Sequence, residues 1–323
     1  MNILIVSGFL GAGKTTFIKE LIRRTDTCPV VLENEYGADN IDAQELRNTG
    51  DTAKKPEVLE FMEGCVCCTM KDSFVNSVLT IYSGLSPEYL IVEPTGVGKL
   101  SNIISNLQPI LHGDVSLLKP VVVIAPRSYG RNMHEWGELY RDQIANAGTI
   151  VFSKCENESP QILEEAAAAV RQINPASDII SEHYTRKSDE WWRSCMSLPS
   201  QTIEARGSKE DSPELSQLTL NNARLNNPGQ LMALLEDCLH GELGSVVRAK
   251  GTIPVGDETL RFDLADGLYS ITGSNENVNQ CVFIGRNLDK EKLCMRLGAL
   301  FNKKSLSLTR AYVRRQYSYT KKG

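Results

Sequence analysis

The chain has 323 residues, 41% of them hydrophobic and 23% charged, with a formal net charge of −5. This is ordinary globular composition with room for two domains. Mild acidity without a long Lys/Arg block argues against a nucleic-acid groove. With no apolar run near membrane length and no charged-then-apolar leader, a cytoplasmic protein away from membranes is expected.

The first seventeen residues organise the rest. Ile3-Leu4-Ile5-Val6 predicts a buried strand, and Gly8-Phe9-Leu10-Gly11-Ala12-Gly13-Lys14-Thr15 then satisfies G-x-x-x-x-G-K-[ST] at every fixed position. Lys14 to Arg24 lacks Gly and Pro, and Phe17, Ile18, Leu21 and Ile22 form a helical stripe. A strand, a glycine loop and a helix in that order suit a phosphate. Gly8, Gly11 and Gly13, with Ala12 between them, let backbone N–H groups turn inward, and the helix N-terminus adds positive potential. Lys14 would reach the β and γ phosphates, Thr15 would place its hydroxyl on Mg²⁺, and Thr16 would support the helix start.

Further along, Val30-Val31-Leu32 predicts a strand ending at Glu33-Asn34-Glu35-Tyr36-Gly37. Val58 to Phe61 predicts another, delivering Glu63-Gly64-Cys65-Val66-Cys67-Cys68, and Phe74 to Tyr82 a helix. Tyr89-Leu90-Ile91-Val92 stops at Glu93-Pro94-Thr95-Gly96, an acidic residue at the tip of a buried strand, the Walker B pattern. Helices follow at Leu100–Leu111, around Trp136–Ile144 and at Ile162–Ile173, with strands at Val121–Ile124 and Thr149–Phe152, the latter running into Ser153-Lys154-Cys155-Glu156. Apolar strands alternating with amphipathic helices imply an α/β fold, a P-loop NTPase parallel sheet with helices on both faces and ligands at the strand C-terminal edge.

From Arg186 to Pro213 the sequence turns polar, leaving a linker or a last docked helix around Trp191-Trp192. Strands are then predicted at Leu218–Leu220, Ser245–Val255, Thr259–Leu264, Leu268–Thr272 and Cys281–Ile284, with helices at Pro228–Leu239 and Lys290–Phe301. We read this as β-α-β-β-α-β with an extra strand, a smaller α+β domain of the split β-α-β type. The expected division is 1–186, a linker or helix over 187–212, and 213–323.

Nine cysteines, an odd number, are scattered except for Cys65, Cys67 and Cys68, which argues against a disulfide framework. Three thiolates in four residues suit a soft transition metal, with a fourth ligand from Glu33, Glu35 or water. Three small buried side chains without metal would account for the same cluster.

The ordered motifs Gly8 to Thr16, Glu33 to Gly37, Glu63 to Cys68 and Glu93 to Gly96 resemble those of the CobW-like GTPases, relatives of the accessory GTPases UreG, HypB and MeaB. Val246 to Gly251 and Phe283 to Leu288 are similar to the CobW C-terminal domain. The resemblance implies a GTPase metallochaperone that couples nucleotide state to binding and delivery of a transition metal. Zn²⁺ comes first, with Co²⁺ or Ni²⁺ as alternatives. It implies nucleotide contacts from Gly8, Gly11, Ala12, Gly13, Lys14, Thr15, Thr16, Lys154 and Glu156, with Lys14, Thr15 and Glu93 catalytic. Mg²⁺ would sit on Thr15 and Glu93, and the transition metal on Cys65, Cys67 and Cys68 with Glu33 or Glu35. The implied partner is a client metalloenzyme or corrinoid protein, and a homodimer is compatible with the reading. Two features depart from the pattern: Ser153-Lys154-Cys155-Glu156 stands where the family has Asn-Lys-x-Asp, and the four histidines (112, 134, 183 and 240) are isolated rather than clustered. None of these histidines is assigned as a ligand, although His112 or His183 could reach the metal site after folding. No residue declares itself as an arginine finger or water-positioning glutamine, which leaves that group to be supplied by a client protein. The alternatives are a nucleotide-gated assembly scaffold for a corrinoid or metalloenzyme, and a small-molecule kinase.

Overall fold

The apolar runs become parallel strands because each is buried on both faces. In the computed structural model, which describes residues 1–33, 57–60, 71–200, 216–275 and 279–298, β1 (Asn2–Gly8) lies at the centre of a sheet. The others are β2 (Val30–Glu33), β3 (Glu57–Glu60), β4 (Tyr89–Glu93), β6 (Val121–Ile124), β7 (Thr149–Phe152) and β8 (Asp178–His183), in the order β3-β2-β4-β1-β6-β7-β8. The pairings along this order are parallel, and the two-residue β5 (Ser116–Leu117) lies beside the start of β1. All C-terminal strand ends therefore share one edge. There β1 runs into the glycine loop, β4 stops at Glu93, β7 leads to Ser153 and β8 stops at His183.

The helices of this part are α1 (Lys14–Thr25), α2 (Lys71–Leu85), α3 (Leu100–Leu107), α4 (Tyr129–Ala145), α5 (Pro160–Ile173) and α6 (Asp189–Cys195). Phe17, Ile18 and Leu21 of α1 pack with Leu4, Val6, Val123 and Val151 of the sheet, and Trp192 of α6 completes that core at 0% exposure. The predicted helix at Leu100–Leu111 stops at Leu107, where Pro109 cannot continue the amide ladder and a single 3-10 turn takes over. No strand was predicted at β8. Only Ile179 and Ile180 are apolar there, and as an edge strand β8 leaves most of its residues partly exposed, so it carries no buried-strand signal. No helix among the described residues is long and apolar enough to cross a membrane.

The chain divides into two compact units, Met1–Glu214 and Leu215–Gly323. The second is an antiparallel sheet in the order β12-β11-β10-β13-β9, from β9 (Ser216–Leu220), β10 (Ser245–Val255), β11 (Glu258–Ala265), β12 (Leu268–Gly273) and β13 (Gln280–Arg286). Helix α7 (Pro228–Leu239) joins β9 to β10, and β13 pairs antiparallel with both, which makes this a split β-α-β unit. The expected alternation needs one correction. Among the described residues all four later strands precede the second helix, α8 (Lys290–Arg296), and none follows it. Asn227 caps α7 by accepting from the Gln230 amide at 3.1 Å, and Asp289 caps α8 from Lys292 at 2.9 Å. Leu231, Leu235 and Leu293 close over Ala249, Phe262 and Phe283.

Candidate functional site

Gly13 takes φ 90° at the start of α1, a left-handed conformation that a side chain would strain. No acidic residue occupies the first turn of α1, and no described side chain caps it. Lys14 follows at the first helical position, 8% exposed. A cation at the positive end of a helix dipole is unfavourable alone and favourable once an anion sits there. The Thr15 hydroxyl, one residue on, donates to both oxygens of Glu93, at 2.9 and 3.2 Å. Two neighbouring ligands of an octahedral Mg²⁺, each about 2.1 Å from the ion, lie about 3 Å apart, so this hydroxyl and carboxylate fit adjacent positions of its shell. Thr16 is exposed at the first turn.

The segment after Glu93 is held on two sides. On one, a Cβ added to Gly96 would lie 2.4 Å from the Leu10 amide nitrogen and 2.8 Å from the Phe9 carbonyl carbon, so backbone touches backbone between this segment and the phosphate loop. On the other, α4 grips it. The Gln143 amide donates to the carbonyls of Gly96 and Gly98, at 3.2 and 3.1 Å. Asp142 accepts from the Ser101 amide at 3.0 Å, and Lys99, 2% exposed, reaches Glu138 at 2.5 Å. Burial raises the Asp142 carboxyl above its usual range, against the Ser101 hydrogen bonds that lower it. Phe9 of the phosphate loop meets Trp136 at 5.7 Å and the edge of Tyr140 at 6.1 Å, where α4 bends at Trp136 (φ −130°, ψ 26°).

At the third end of the site Ser153, 2% exposed, donates its hydroxyl to the Ala12 carbonyl at 2.6 Å, tying the loop after β7 to the phosphate loop. Lys154 follows at φ 53°, exposed. Cys155 is buried, which pushes its thiol up and keeps it protonated. Glu156 meets His183 Nε2 at 3.0 Å. A cavity of about 400 Å³ between β8 and α5 has both residues in its wall.

The structure thus brings Gly8, Gly11, Ala12, Gly13, Lys14, Thr15, Thr16, Glu93, Lys154 and Glu156 to one sheet edge. Glu33 is there too, 5% exposed at the end of β2 and in register with Glu93 on one side and Glu60 on the other. Cys65, Cys67, Cys68 and Glu35 lie outside the described residues. Among the described residues no group of three or more His, Cys, Asp or Glu side chains could hold a metal ion. His112 and His183, expected within reach of the metal site after folding, are both among the described residues, whereas the cysteines are not. His183 stands on β8, six strand spacings or roughly 29 Å from β3. His112 lies in the turn before β5, beside the N-terminal end of β1. Sequence reasoning missed Gln143 and Asp142. The available signal was a pair of polar residues adjoining the apolar stripe of Trp136, Leu139, Tyr140 and Ile144.

Residues 2–181 match the model of the CobW/HypB/UreG nucleotide-binding domain, and residues 215–301 that of the cobalamin synthesis protein cobW C-terminal domain. The chain belongs to the CobW/HypB/UreG family. Among relatives in it, the zinc chaperone YeiR of Escherichia coli is 31% identical over 160 residues, 49% of this chain and 47% of that one. Zinc-regulated GTPase metalloprotein activator 1 of Dictyostelium discoideum is 24% identical over 214 residues, 56% of this chain and 45% of that one. The zinc-bound YjiA GTPase from E. coli is similar over 94% of this chain and 99% of that chain, at 15% identity and a TM-score of 0.44. The chain spans about half the length of the curated relatives it matches.

Proposed function

We propose that this family member hydrolyses GTP and couples its nucleotide state to binding and passing on zinc. One observation carries the reading. The strand leading to the Cys65-Val66-Cys67-Cys68 segment ends at Glu60, one rung from Glu33 and two from Glu93, and Glu93 bonds Thr15 on the phosphate loop. Two strand spacings are about 10 Å, so the segment that carries the cysteines leaves the sheet edge close to the carboxylate bonded to the phosphate loop. The names of the relatives, a zinc chaperone and a zinc-regulated GTPase, favour zinc as the cargo.

In this reading the amides of Gly11 to Lys14 surround the β-phosphate, Lys14 neutralises the β and γ oxygens, and Thr15 and Glu93 hold Mg²⁺. Bound there, Mg²⁺ supplies charge stabilisation to the transferring phosphoryl group. Lys154 lies along the base and Glu156 accepts from the N1 and N2 donors of guanine. Cys65, Cys67 and Cys68, with Glu33 or Glu35, receive zinc as substrate, and loss of the γ-phosphate loosens the segments after Glu33 and Glu93, freeing the ion for a client protein. A homodimer is compatible with this scheme.

The experiment is a zinc titration of the full chain with a non-hydrolysable GTP analogue or GDP, in wild type and Cys67→Ala. Coupling of 1 to 3 kcal/mol predicts an affinity ratio of roughly 5 to 150 between the two states, lost in the variant. Equal zinc affinities in both states would remove the coupling. Phosphate release should fall by about a hundredfold or more in Thr15→Ala and Glu93→Gln, and unchanged turnover would remove the assigned magnesium pair.

A further inference from the structure

We propose that His183 is the positioning residue for nucleobase recognition, holding the Glu156 carboxylate where it can read guanine. The proposal rests on the guanine reading above and adds a residue to it.

Glu156 has one more methylene and one more torsion than the aspartate of the family pattern, and its side chain is 56% exposed. An untethered glutamate at that exposure samples many rotamers, and ordering it on each binding event would weaken base recognition. His183 removes that freedom. Its side chain is 14% exposed, with Nε2 3.0 Å from Glu156 Oε1. The ring is itself fixed in two ways. Nδ1 lies 2.7 Å from the Thr185 hydroxyl, and the ring stacks on Tyr184 with centroids 4.5 Å apart and planes 27° from parallel. Tyr184, 2% exposed, is set edge-on against Phe17 of α1 at 5.1 Å and Trp192 of α6 at 5.8 Å. Because the Glu156 carboxylate only accepts, Nε2 carries the ring proton that points at it. The carboxylate then keeps Oε2 and a second lone pair on Oε1 for two further donors, the number guanine offers through N1–H and N2–H. The same aromatic stack joins this carboxylate to the helix that begins with Lys14, so base and phosphate contacts are referred to one rigid body.

The test measures affinity for GTP, ITP and ATP by displacement of a fluorescent GDP from the full chain. ITP lacks only the 2-amino donor. His183→Ala is expected to lower GTP affinity by about tenfold or more and ITP affinity by less, because inosine keeps the N1–H donor but not the 2-amino donor, while ATP affinity stays within about twofold. His183→Gln, whose amide can donate from nearly the same place, should keep most of the preference. Adding His183→Ala to Glu156→Ala should change nothing further, as expected of a residue acting through another. Two results overturn the proposal: a preference unchanged in His183→Ala, or an equal loss for all three nucleotides. If wild type itself fails to prefer GTP, the guanine reading falls and the proposal with it.

Discussion

Gly96→Ala is the sharpest test of how the phosphate loop and the segment after Glu93 fit together. The added Cβ would meet the Leu10 nitrogen at 2.4 Å, the Leu10 Cα at 2.7 Å and the Phe9 carbonyl carbon at 2.8 Å. All three are backbone atoms, so no side chain can rotate away, and one of the two segments must move by the better part of an ångström. Gly96 is not in the left-handed region, so the cost is steric, and the lower entropy of an unfolded alanine offsets only about 0.4 to 1 kcal/mol of it. Overpacking of this kind costs about 1 to 3 kcal/mol. For a unit of this size about 2 kcal/mol corresponds to a fall of roughly 4 to 8 °C in Tm. GTP affinity should fall by about tenfold or more, because the atoms displaced belong to the loop that holds the phosphates. Differential scanning calorimetry and nucleotide displacement measure both. Gly84→Ala, in the last turn of α2 with nothing within 4 Å of the added carbon, is the control and should be neutral or stabilising by up to about 1 kcal/mol. If Gly96→Ala matches that control in melting and binding, the claimed backbone contact is wrong.

Ser153→Ala should cost about 1 to 3 kcal/mol of stability, since the buried Ala12 carbonyl loses a hydroxyl donor, and Ser153→Thr should recover part of it; equal melting of all three proteins would show that the tie is unimportant. The Glu20 carboxyl is held well below its ordinary 4.5, at about 2, chiefly by hydrogen bonds from Arg23, with Arg24 adding to them and burial opposing. A depressed carboxylate contributes stability that is present above 4.5 and lost as pH falls towards 2. Wild type should therefore exceed Glu20→Gln in Tm at neutral pH, with the gap closing across that window; a gap independent of pH would contradict the assignment.

The parts of the fold visible in the sequence are those buried on both faces. Ile3 to Val6, Val30 to Leu32 and Val121 to Ile124 read as continuous apolar runs because no side of them meets water. Strand β8 escaped notice for the opposite reason. The phosphate loop and Glu93 were legible because their chemistry depends on local spacing, and a strand end delivers the rest. The ties of Ser153 to Ala12, Gln143 to Gly96 and His183 to Glu156 were not, since each joins residues distant in the chain that only the strand order brings together.

Helix α4 has a consequence for motion. Its Gln143 and Asp142 fasten the stretch from Gly96 to Ser101 from behind, and the buried Thr95 accepts from the Gly98 amide at 2.9 Å, so the span leaving Glu93 runs directly into a held turn. Any larger swing of that span must either break both hydrogen bonds donated by the Gln143 amide or drag the helix along. The outward side of the helix shows Arg131, His134 and Glu135 to solvent. A load on that span is therefore shared with the bent rod and with the exposed side it carries.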